Sequence, residues 1–143
     1  WSVTTSATTF SPSNGGTLSG SGTSQGGVSV TTNGHNFGSV ATGTTSPTYG
    51  VELSNSTASA VTLTKGSVTA PFAAVTNCGA TLAAGTSCEL EFTFTPTATG
   101  TVQHVYALSA STTITAGGAA LPNGGITLTG TGSASTVAPV RVR

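Results

Sequence analysis

Few residues in this chain could do chemistry. Its 143 residues hold three acids (Glu52, Glu89 and Glu91), three bases (Lys65, Arg141 and Arg143), two histidines and two cysteines, with no Asp and no Met. A Ser-His-acid triad needs a buried carboxylate to orient its histidine. Glu89 and Glu91 alternate outward on one strand, so such a triad is poorly supplied, and the serines read as solvating hydroxyls. Glu52, Glu89 and Glu91 together offer three carboxylates, whereas a hard cation takes six or more oxygens; a solvated outer face is the simpler reading. His35 beside a turn and His104 on the face of Tyr106 and Leu108 read as structural histidines. Lys65, Asn55 and Glu52 are the groups an intramolecular Lys–Asn isopeptide bond would need, but nothing in the sequence brings them together. Asn55-Ser56-Thr57 matches the N-glycosylation acceptor, a pattern common by chance. No catalytic, cofactor-binding or metal-ligating residue is assigned, and no enzymatic activity is expected.

Cys78 and Cys88 are the chain's two cysteines. An even number, close in sequence, reads as a disulfide formed outside the cytosol. A metal would need two further ligands, with His35 and His104 the only histidines available. The bridge is expected to close a hairpin, with Gly79 and Gly85 allowing the turns. The chain-entropy model gives so short a loop on the order of 2–3 kcal/mol. The expected location is extracellular or at the cell surface.

Composition narrows the partners. Charged residues make up 4% of the chain, against roughly 25% in ordinary globular proteins. Clustered Lys and Arg, which phosphate binding requires, are missing, so nucleic acid is excluded. No apolar run approaches the roughly 20 residues of a membrane span. The formal net charge is zero, which favours self-association. The chain opens on Trp1 without an initiator Met and reads as a processed chain or an excised fragment.

These side chains sit on a train of short strands. In CELEFTFT (88–95), Cys88, Leu90, Phe92 and Phe94 alternate with Glu89, Glu91, Thr93 and Thr95, the period-2 pattern of a half-buried strand. Pro96 ends it, because proline cannot donate to a ladder. Further strands are expected over 28–32, 36–41, 49–54, 60–65, 68–75, 101–109, 125–131 and 136–142. Asn33-Gly34 reads as a type I′ hairpin turn, and the long connection 110–124 has room for a small extra hairpin. Expected inward residues are Phe37, Val40, Val51, Leu53, Val61, Leu63, Phe72, Leu90, Phe92, Phe94, Tyr106, Leu108, Ile126 and Leu128. No amphipathic helix is found. The fold class is all-β: an immunoglobulin-like antiparallel sandwich with extended, strand-like N- and C-terminal tails.

Four segments follow one another in order: NFGSVATGTTS (36–46), VELSNSTASAVTL (51–63), CGATLAAGTSCELEFTFTPTATG (78–100) and GITLTGTG (125–132). Together they resemble the bacterial immunoglobulin-like surface domain of choice-of-anchor D proteins, related to ASH and HYDIN-type domains. The resemblance implies a seven-stranded sandwich over 36–132, in secreted or surface proteins, without enzymatic activity, in which the cysteines bridge a β-hairpin. It leaves 1–35 as an N-terminal extension and 133–143 as a strand-like tail.

The expected function is that of a structural subunit of an extracellular filament, pilus-like fibre or surface coat, a homo-oligomer or homopolymer joined through its tails. Residues 1–10 form an extended docking strand with Trp1, Val3 and Phe10 as apolar anchors. Arg141 and Arg143 lie against Glu52, Glu89 and Glu91, within the subunit or on a neighbour. The alternatives are a passive spacer, or an adhesive module that binds a surface glycan.

Overall fold

The computed structural model describes residues 26–136 and Val142. In chain order the strands are β1 (Val28–Val30), β2 (Gly34–Ala41), β3 (Tyr49–Asn55), β4 (Val61–Lys65), β5 (Phe72–Thr76), β6 (Thr81–Leu82), β7 (Ser87–Phe94), β8 (Gly100–Ala110), β9 (Ile114–Ala116), β10 (Ala119–Ala120) and β11 (Gly125–Ser133). Among the described residues the only helical piece is a 3-10 turn at Pro122–Gly124. The strands form two sheets, ordered β10-β9-β1-β3-β7-β5 and β2-β11-β8-β4-β6. Pairing is antiparallel except for β1 with β9 and β2 with β11. The resemblance implied seven strands; the four additional ones are all two or three residues long.

The core follows the alternation of the strands. Val51, Leu53, Leu90, Phe92, Phe94, Ile126 and Leu128 are fully buried between the sheets. Their neighbours in sequence face outward, as a half-buried sheet requires. All the expected inward residues lie in the core, with Phe37 and Val40 only partly buried against it. Phe72 and Phe94 pack at 5.0 Å between ring centroids, and the edge of Phe92 meets Tyr106 at 5.2 Å.

Three expectations need correction. The sandwich does not begin at residue 36: β1 lies between β9 and β3, with Val28 and Val30 buried. The strand itself is expected over 28–32, but two inward valines do not say that it joins the sandwich. Asn33-Gly34 is not a hairpin turn, because β1 and β2 lie in different sheets and the chain crosses between them there. The strand expected at 68–75 begins only at Phe72. The extra hairpin in 110–124 does form: β9 and β10 pair around Gly117 and Gly118, both at positive φ, as a two-residue turn of this kind demands.

The closing L-x-G-x-G run of β11 has a packing reason. Gly130 and Gly132 occupy inward positions. A Cβ on Gly130 would stand 2.6 Å from Cε1 of Phe94, and one on Gly132 would collide with the Ala98 carbonyl and Pro96. The glycines make room for the end of β7 and the turn that follows it.

Candidate interaction surface

The disulfide fixes one end of this surface. Cys78 and Cys88 are bridged, with Cα atoms 5.1 Å apart. β5 pairs antiparallel with β7, Thr76 facing Leu90, and two residues further on the same register sets Cys78 opposite Cys88. The bridge therefore closes a wide hairpin, whose loop leaves the sheet to give β6 to the other one. Around it, the Thr76 hydroxyl donates to the Glu89 carbonyl at 2.9 Å and the Glu89 N–H donates to Asn77 Oδ1 at 2.7 Å. The Lys65 ammonium donates to the Cys78 carbonyl. These contacts hold the end of β5 firmly against β7.

The three acids share the outer face of this sheet. Glu52 stands directly opposite Glu89 across β3 and β7, and Glu91 faces Gly50. The Asn55 N–H bonds the Thr86 carbonyl. Counting from there along the ladder, Glu52 and Glu89 fall at a non-hydrogen-bonded position, where Cα atoms approach to about 4.5 Å. Like charges so placed repel. Two local features ease the crowding. The Glu89 carboxylate lies in the space a Cβ on Gly50 would fill, and the Ser54 hydroxyl donates to Glu52 Oε1 at 3.0 Å.

Next to the acids lies the edge strand β5. Val75 is 68% exposed and stands opposite Glu91. Val75, Thr76, Asn77, Glu89 and Glu91 line a concavity of about 190 Å³. Backbone bonds join Pro71 to Thr95 and Asn77 to Glu89. By the alternation of an antiparallel ladder, Ala73 and Val75 bond to β7, while the N–H and C=O of Ala74 and Thr76 point out of the sheet. Among the described residues, β5 thus offers an unpaired backbone row, an apolar side chain and two carboxylates together.

The remaining candidates have other roles. Asn55 is 1% exposed. Its amide donates to the carbonyls of Ser59, Leu82 and Ala83, and its Oδ1 accepts from the N–H and hydroxyl of Thr57. A nitrogen so committed is closed to a glycan, and equally to an isopeptide bond with Lys65. His35 stacks on Tyr49 at 3.5 Å between ring centroids and meets Phe37 edge-on. Burial lowers its pKa from the usual 6.5. His104 bonds the Ser67 carbonyl through Nε2 at 3.1 Å and packs beside Phe72. Among the described residues, no group of three or more His, Cys, Asp or Glu is placed to hold a metal ion. No helix there is long and apolar enough to cross a membrane. Trp1, Val3, Phe10, Arg141 and Arg143 lie outside the described residues. The sequence reading missed Val75, Asn77 and Gly50 as members of this surface. The signal that could have found them is the Cys78–Cys88 pairing, which sets the register of β5 against β7.

Comparison with known proteins agrees with this architecture. Residues 26–117 match the family described as HYDIN/CFA65/VesB-like, Ig-like domain, a span that takes in β1. No curated protein sequence matches the chain. Among solved structures the chain is similar to the ASH / PapD-like domain of human CEP192 (PapD-like domain 7). The TM-score is 0.59 at 15% identity, covering 87% of this chain and 99% of that one. It is also similar to the secreted serine protease VesC from Vibrio cholerae, with a TM-score of 0.46 and 21% identity. That match covers 80% of this chain and 24% of the protease chain.

Proposed function

We propose that this chain, which belongs to the HYDIN/CFA65/VesB-like Ig-like domain family, is a non-catalytic structural subunit of an extracellular filament or surface coat, joined to its neighbours by its terminal segments. The observation that carries this reading is that the two longest edge strands, β5 and β2, are each left open on one side among the described residues. The five-residue β5 and the eight-residue β2 each border a sheet. An unpaired strand of this kind is a template for a strand from another chain. Head-to-tail contacts between copies extend into open arrays. The Cys78–Cys88 bridge supports an oxidising, extracellular setting. The block 78–100 and the closing L-x-G-x-G run support the finer assignment to the choice-of-anchor D type.

Residues 1–10, with Trp1, Val3 and Phe10, are the segment proposed to dock on a neighbour. Deleting them should leave thermal unfolding unchanged and abolish assembly. A shortened chain that folds and polymerises like the full one removes this reading of the N-terminal segment. A glycan-binding module is the second reading. It is favoured by an open depression of about 320 Å³ lined by Asn33, Gly34, His35, Asn36, Pro122, Thr127 and Thr129, beside the His35–Tyr49 stack. A passive spacer would need no open edge at all.

A further inference from the structure

We infer that the open edge of β5 receives the C-terminal segment, residues 137–143, of a second copy of this chain. This deepens the assembly reading above and rests on it. The two surfaces are complementary in charge. All three acids of the chain lie on the outer face beside β5. Two of the three bases, Arg141 and Arg143, are in the last three residues. Both groups are spaced two residues apart, about 6.6 Å on an extended strand, so an added strand sets both arginines on the face that carries Glu89 and Glu91.

The span across β5 also suits an arginine side chain. An added strand lies two strand spacings from β7, roughly 9–10 Å. An arginine on it must cross β5 to meet a carboxylate. Val75, exposed and opposite Glu91, is where the aliphatic stem would lie, as long basic side chains cover apolar surface while their heads stay in water. The concavity formed by Val75, Asn77, Glu89 and Glu91 then receives the guanidinium. The alternation of VAPVRVR directs Ala138, Val140 and Val142 to the opposite face, toward Phe72 and Ala74. Pro139 is tolerated because it lies on an edge strand.

A second copy, not the same chain, is the source of the segment. Val142 is 92% exposed, and the assembly reading places the surface that covers it on another copy.

The test uses four full-length proteins: the natural chain, R141E/R143E, E89R/E91R and the variant carrying all four changes. Their folding is checked by thermal unfolding and their assembly by sedimentation. Each double variant should assemble roughly tenfold or more weakly than the natural chain, since like charges then meet at the contact. The fourfold variant should recover assembly, and so should an equal mixture of the two double variants, in which each tail finds an opposite face on the other protein. Recovery in the fourfold chain but not in the mixture would put the contact within one chain and overturn the proposal. Variants that all assemble like the natural chain would overturn this site while leaving the assembly reading standing. A natural chain that stays monomeric at every concentration would overturn both.

Discussion

Asn55 donates to three carbonyls and accepts from Thr57 twice, tying the end of β3 to the β3–β4 loop and to the end of β6. Buried polar groups stripped of their partners cost about 1–3 kcal/mol each. Asn55→Ala should therefore destabilise the fold on the order of 3 kcal/mol by chemical denaturation; a loss below about 1 kcal/mol would mean that water replaces the amide readily. His35 makes a prediction in pH. Stacked on Tyr49, it has a pKa lowered by burial. The folded chain then binds fewer protons than the unfolded one around that pKa, so the stability His35 supports is present above about pH 6.5 and declines as the pH falls below it. Titration by NMR should give a His35 midpoint below 6.5, and His35→Gln should flatten the acid side of the stability curve. A midpoint at or above 6.5 contradicts the desolvation of His35 by burial.

At the scale of elements, legibility followed the length of the pattern. β7 was readable because four inward and four outward residues alternate without a break. β1 was legible as a strand over 28–32 but not as part of the sandwich, because so short a run does not say which sheet it joins, and β6, of two residues, shows no pattern. The crossing at Asn33-Gly34 was misread because local turn chemistry cannot tell a hairpin from a change of sheet. The three acids could be set on one face because the β3–β7 neighbourhood follows from an immunoglobulin-like sandwich. The edge position of β5 needed the register. The L-x-G-x-G run was noticed as a pattern, and the Phe94 ring supplies its reason. Gly130→Ala should overpack this contact and lower stability by about 1–3 kcal/mol, measured by urea unfolding. A neutral outcome would mean that the ring shifts freely and that the glycine answers to something else.

At the scale of the molecule, the chain combines a disulfide-closed sandwich, a sequence with few charges and, among the described residues, open edges on both sheets. Zero net charge removes the repulsion that keeps many domains apart. The few charges present are segregated, acids on one face and most bases at one end. That arrangement gives direction to association more than strength, since exposed pairs contribute only about 0.2–1 kcal/mol each. Assembly through them should weaken at high salt as screening shortens the reach of charge. The central claim is that copies of this chain join into an extended array, and negative-stain electron microscopy of the purified full-length protein over a concentration series tests it most directly. The account predicts regular linear particles that lengthen with concentration, and isolated single-domain particles at every concentration would contradict it.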